Sequence, residues 1–148
     1  MPHYAENRKA RFNYEFLEKY ETGIELLGTE VKSVRGGQMS LEGAFVIIRG
    51  GEAFLINANI PPYQPANAPK DYDSLRNRKL LLTKKEIAEL AGSEKNKSLT
   101  IVPISVYNKG RKIKVEIALV KGKKKFDKRE TLKKRDMDRE IRREIKEH

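Results

Sequence analysis

The chain has no cysteine and only two histidines, His3 and His148, one near each end. Disulfides and thiolate metal sites are therefore excluded, and no histidine pair has metal-ligand spacing. No serine sits beside a candidate base in a nucleophile motif. No apolar run is long enough to span a bilayer. The opening residues, Met1 to Glu6, form no apolar signal region, which leaves the cytoplasm as the expected location. There is no internal repeat and no βαβ alternation, so a parallel sheet is not expected. Proline is sparse except in one stretch, where Pro61, Pro62, Pro65 and Pro69 cluster. None of these can donate to a β-ladder, and residues 57 to 73 read as a long surface loop.

What is abundant is positive charge. Over 148 residues, 32 Lys and Arg face 21 Asp and Glu, a net charge of +11, and charged residues make up 36%. That length allows one domain with appendages. The charge predicts attraction to nucleic acid or to an acidic membrane, and the membrane is disfavoured because no wide apolar face accompanies the basic segment. Residues 121 to 148 alone hold 13 Lys or Arg against 7 Asp or Glu, more than half the excess. In that segment Met137, Ile141 and Ile145 recur every four residues, a stripe too thin to fold against a core. The segment is expected to be disordered or weakly helical alone and to become a helix on a polyanion. Its first turns cluster Lys and Arg around a single aromatic, Phe126, which suits phosphate neutralisation and stacking on a base. Residues 1 to 120 then form the folded domain.

Within it, Asn7 to Arg11 lead into an expected strand in which Phe12, Tyr14 and Phe16 alternate with polar neighbours, and Ile24 and Leu26 begin a second. Thr29 is expected to cap a short helix, Glu30 to Arg35, with Val31 and Val34 buried and Gly36 ending it. Lys32 and Arg35 point elsewhere, to solvent or to RNA. Ala44 to Arg49 and Glu52 to Ile56 flank Gly50-Gly51, the signature of a two-residue hairpin. Arg76 to Lys79 lead into Leu80 to Leu82. Thr83 and Glu86 form a capping box for a helix carrying Ile87, Leu90 and Ala91 and closed by Gly92. Ser98 to Tyr107 and Arg111 to Val120 form the last strand pair, with Ile113, Val115, Ile117 and Leu119 on one face. The sum is mainly β: six strands in three hairpin-like pairs, fitting an antiparallel OB-like barrel, with a six-stranded sandwich as the alternative. Gly36-Gly37-Gln38 matches the short signature of peptide-release factors, but its place at a helix end gives it a sufficient role as a turn.

Several blocks occur in a fixed order and spacing: Asn7 to Arg11, Gly28 to Ser33, Arg78 to Leu82, Lys114 to Ile117, and Lys121 to Lys124 followed by Asp127 to Glu130. Together they resemble the SsrA-binding (small protein B) family, the bacterial partners of transfer-messenger RNA. The resemblance implies a non-enzymatic protein without cofactor or metal. Its barrel would hold the tRNA-like domain of transfer-messenger RNA. Its tail would lie in the vacant decoding site and empty mRNA channel of a stalled 70S ribosome, against small-subunit rRNA. Elongation factor Tu would join through the charged RNA, and the free protein is expected to be a monomer. Carried over by position, Glu21, Arg35, Leu81, Thr83 and Lys114 belong to the RNA-binding face. Asn7, Arg8, Lys9, Arg11, Lys32, Arg78 and Lys79, from or beside the same blocks, join them as candidate contacts. Lys121, Lys123, Lys124, Phe126, Asp127, Lys128, Arg129, Lys133, Lys134 and Arg135 are the candidate ribosome contacts. The chain departs from the family pattern at Thr83, where Asn or His is common, at Phe126, often His, and at Ser74, where Pro is common.

Overall fold

The structure is a computed structural model that describes residues 3–96 and 98–122. In chain order the elements are β1 (His3–Glu6), α1 (Arg8–Asn13), β2 (Tyr14–Gly23), α2 (Gly28–Arg35), β3 (Phe45–Arg49) and β4 (Glu52–Ile56), then a 3-10 turn (Pro65–Asn67), β5 (Arg78–Leu80), α3 (Lys84–Glu94), β6 (Leu99–Lys109) and β7 (Lys112–Gly122). All pairings are antiparallel, in the order β2-β7-β6-β3-β4-β5, with β1 added against β6. The two ends of this path meet. Ile24 bridges Leu80, the Glu25 amide donates to the Lys79 carbonyl and the Leu81 amide to the Gly23 carbonyl, each at 2.9 Å. That seam closes the sheet into a barrel.

Alternation sets which side chains enter it. Val115, Ile117 and Leu119 of β7 point inward with Leu55, Leu80, Ile101 and Val106, and Ile113 packs against them. Two-residue turns hold the hairpins: Gly50 and Gly51 both have positive φ (58° and 75°), as a type I′ turn demands. The outer face of β6 and β7 is covered as well. There Val102, Ile104, Ala118 and Val120 pack with Ala10 of α1, flanked by Tyr14 and Phe16. A helix of six residues does not hold itself together in water, so this apolar contact is what α1 depends on.

The structure differs from the sequence reading in definite places. The basic lead-in forms α1, which takes in Phe12, expected as the first residue of the strand. The expected first hairpin is a single ten-residue strand, β2, paired along β7 from Tyr14↔Gly122 to Gly23↔Lys114. Among the described residues there are seven strands: β1 is added because β6 is long enough to pair with β3 at one end and with β1 at the other, and β5 because Arg78–Leu80 pairs with β4. Thr29 does not cap α2. That helix starts at Gly28, and its first turn is closed by Glu30, whose Oε1 accepts the Leu27 amide at 2.8 Å. Gly92 lies inside α3, which runs on to Glu94. The Thr83–Glu86 capping box forms as read, with reciprocal bonds of 3.2 and 3.0 Å.

Candidate nucleic-acid interface

A groove of about 350 Å3 opens beside the barrel seam. Its floor is apolar, made by Ile24, Leu26, Val31 and Ile113, with Gly23 and Leu81 at the seam. Its cations come from three places: Arg35 from the last turn of α2, Arg111 from the β6–β7 turn, and Lys112 and Lys114 from β7. Arg35 and Leu81 belong to segments far apart in sequence, and the seam brings them together. Leu81 is 53% exposed, which a leucine adopts at the cost of its apolar transfer energy. Arg35 Nη2 donates to the Arg111 carbonyl at 3.0 Å, tying the helix to the turn. Apolar surface rimmed by guanidinium and ammonium groups suits an unstacked base between phosphates.

Glu21 lies two residues before Gly23 on the same outward side of β2, opposite Glu116. Its carboxylate accepts from the Tyr107 hydroxyl and from Lys109 Nζ, the latter at 2.9 Å. The Tyr107 hydrogen bond is the main reason its carboxyl titrates below the ordinary value, followed by the Lys109 bond and the charges of Lys109 and Lys114. Tyr107 is pushed up, first by burial and then by Glu21, so its hydroxyl keeps its proton and remains a donor. An ionised carboxylate has about four acceptor sites, so Glu21 keeps capacity for a base or ribose hydroxyl.

The remaining candidates spread over the surface. Lys32 lies on the other flank of α2, its Nζ 6.0 Å from the centroid of the Tyr63 ring, in a smaller cavity with Pro61, Pro62 and Tyr72. Lys79 pairs with Glu52 at 3.1 Å and borders a cavity that shares Ile24 and Leu26 with the groove. Thr83 is exposed, with its hydroxyl engaged as a helix cap. Asn7, Arg8 and Lys9 line cavities on the α1 side of the barrel rather than the groove. There Asn7 is structural: its amide donates to the Ile104 carbonyl at 2.8 Å and its Nδ2 to the Pro103 carbonyl at 3.0 Å. Lys9 pairs with Glu42, and Arg11 is placed on α1. Lys121 is exposed on β7. Lys123, Lys124, Phe126, Asp127, Lys128, Arg129, Lys133, Lys134 and Arg135 lie outside the described residues.

One expectation is corrected. Arg78 is wholly buried and faces the interior, so it is not a contact for RNA. Its Nε and Nη2 donate to Glu30 Oε2 at 2.9 and 2.6 Å, and its other donors reach the carbonyls of Ala58, Ser74 and Arg76. The signal was available: Arg78 and Leu80 share one face of a strand, and Leu80 is core. Two cations of the groove, Arg111 and Lys112, were missed. The turn residue Gly110 (φ 64°) marked the place where the hairpin would present them.

Gly36-Gly37-Gln38 has a structural task. Gly37 takes φ 76°, its amide and that of Gly36 bond back to Val34 and Lys32, and the Gln38 amide bonds to the Ser33 carbonyl at 3.1 Å, ending α2. Among the described residues no cluster of His, Asp or Glu is placed to hold a metal, and no helix is long and apolar enough to cross a membrane.

The sequence model of the SmpB protein family matches residues 4–147. An SsrA-binding protein of Sulfurihydrogenibium sp. is 56% identical over 142 residues, 96% of this chain and 93% of that one. That of Mesoplasma florum is 54% identical over 142 residues, covering 96% and 95%. Among solved structures, a chain described under "tmRNA-SmpB: a journey to the center of the bacterial ribosome" matches with a TM-score of 0.68 and 45% identity, over 81% of this chain and 84% of that chain.

Proposed function

The chain belongs to the SmpB protein family, and from that membership we propose that it is an RNA-binding translation factor of trans-translation. It binds the tRNA-like domain of transfer-messenger RNA and carries it to stalled ribosomes. The barrel does the RNA binding and performs no bond chemistry. Residues 121–148 supply the ribosome contacts, in the decoding site and the empty mRNA channel, and elongation factor Tu joins through the charged RNA.

The observation that carries the reading is the groove, where Arg35, Leu81 and Lys114 come together although only family position linked them in the sequence. Arg35 and Lys114 neutralise phosphate, Leu81 meets a base, and Glu21 accepts from a base or ribose hydroxyl. Arg111 and Lys112 add phosphate contacts at the same rim.

The test is a competition assay at physiological salt. Labelled tRNA-like domain competes with an ordinary tRNA and an unrelated hairpin, using the full chain and the chain ending at Gly122. Preference for the tRNA-like domain in both, with tagging lost only in the shortened chain, is the expected result. Equal binding to all three RNAs, lost on shortening, makes the protein a general basic RNA binder and overturns the reading.

A further inference from the structure

One carboxylate joins the two elements that frame the groove. Glu30, in the first turn of α2, is 1% exposed, and Arg78, on β5, is 0% exposed. Besides the two bonds from Arg78, Glu30 Oε2 accepts Arg76 Nε at 3.1 Å and the Tyr72 hydroxyl at 3.1 Å. Oε1 accepts the Leu27 amide at 2.8 Å and Arg76 Nη2. The single Tyr72 proton is shared between that carboxylate and the Ile60 carbonyl at 2.8 Å. So α2, the long loop after β4 and strand β5 are bonded to one side chain.

Stability alone is a weak reason for such a pair, since well-packed apolar residues of similar volume often do as well or better. What the charges add is direction. The apolar anchor that α2 buries fully is Val34 alone, and the buried Ser33 hydroxyl, which donates to the Pro61 carbonyl at 2.7 Å, ties the helix to the loop but not to β5. Hydrogen bonds from a planar guanidinium on β5 resist both sliding and rotation of the helix against that strand. Five residues after Glu30 is Arg35, and three after Arg78 is Leu81, and both line the groove.

We infer that Glu30 is a positioning residue for RNA recognition, fixing α2 against β5 so that Arg35 and Leu81 face one another at a set spacing. This rests on the reading of the groove as the RNA site, and the test has one arm without RNA. Because the chain has no cysteine, Thr29→Cys and Lys84→Cys introduce two unique spin-label sites, one on α2 and one on α3, just beyond β5. Distances are measured in the otherwise unaltered chain and with Glu30→Gln, Glu30→Asp or Tyr72→Phe. The last two keep the Arg78 charge paired and remain informative if Glu30→Gln does not fold. The narrow distribution of the parent is expected to broaden or shift in every folded Glu30 variant and, more weakly, in Tyr72→Phe. Unchanged distances in folded Glu30 variants overturn the inference.

The second arm measures affinity for the tRNA-like domain under conditions where circular dichroism shows the variants folded. Glu30→Asp is expected to bind about tenfold more weakly and to blunt the further loss caused by Arg35→Ala, as residues in one network do. Additive losses, or unchanged affinity despite altered distances, also overturn it. If the parent protein shows no preference for the tRNA-like domain, the functional reading fails, and the distances still decide whether Glu30 sets α2.

Discussion

Gly23 and Leu81 meet across the seam so closely that a Cβ on Gly23 would stand 3.1 Å from Leu81 Cδ1. The same two residues share one of the two hydrogen bonds of the seam that closes the barrel. Leu81 is exposed, so its side chain has room to swing aside. Gly23 has no positive φ, and alanine there gains about 0.4–1 kcal/mol by restricting the unfolded chain. Gly23→Ala is therefore expected to leave stability within about 1 kcal/mol of the parent while displacing Leu81 and weakening RNA binding several-fold. Paired denaturant titrations and binding isotherms check this. A parallel loss in both would mean that the seam, not the Leu81 side chain, has been disturbed.

Arg78 and Arg35 should separate stability from binding. Arg78→Ala leaves the Glu30 carboxylate buried with fewer partners, and breaking a buried pair costs about 3–5 kcal/mol. Arg35→Ala removes an exposed guanidinium that bonds to the Arg111 carbonyl. It is expected to change stability by less than about 0.5 kcal/mol and to weaken RNA binding clearly. Equilibrium urea unfolding of both variants is the measurement.

Acid should find the Glu30 network. Burial works to raise that carboxyl, but the bonds from Arg76, the Leu27 amide and Arg78 outweigh it and hold it below the ordinary value. A group depressed in the folded state stabilises fully above its unfolded value, about pH 4.3 for glutamate, and loses that contribution as pH falls through the folded value. Melting temperature should therefore hold between pH 7 and 5, as far as this group is concerned, and drop below about pH 4. Arg76→Gln removes the largest lowering contact, so its drop should begin closer to the ordinary glutamate range.

Thr83 is engaged at the start of α3. Removing the hydroxyl in Thr83→Ala should cost about 1 kcal/mol, and Thr83→Asn should restore it, since both residues cap well. Thermal melts of the two variants decide.

The turn cations should reveal themselves through salt. If Arg111 and Lys112 each meet a phosphate, each alanine variant lowers the slope of log affinity against log salt by about one. Unaltered slopes would remove both from the interface.

The sequence made the hairpins legible because glycine pairs and alternating β-branched residues carry their own geometry: the β3–β4 turn and the inward face of β7 stand where they were expected. It hid β1, since His3 to Glu6 has little pattern and is a strand only because β6 runs past the end of β3. It hid α1 because Phe12, Tyr14 and Phe16 keep a period of two across a boundary where helix gives way to strand. Of the candidate site, Arg35, Leu81 and Lys114 were placed by family resemblance, and their convergence needed the barrel. Arg78 was misjudged because a count of cations does not distinguish a guanidinium facing solvent from one facing a buried carboxylate. The buried partner was itself readable, as Glu30 precedes Val34 by one helical turn on the covered side of α2.

The pairing of β2 with β7 has a further consequence, for the order in which the molecule comes into being. Tyr14 finds its partner in Gly122, and Gly23 in Lys114. Until β7 exists, β2 has no neighbour but the three-residue β5 at one tip, and the outer apolar patch beneath α1 is only half built. Closing so long a loop exacts its entropy before the ladder returns any enthalpy, which places such topologies among the slower folders, in milliseconds to seconds. The long ladder of β2 thus waits on the strand that also carries Lys114 to the groove.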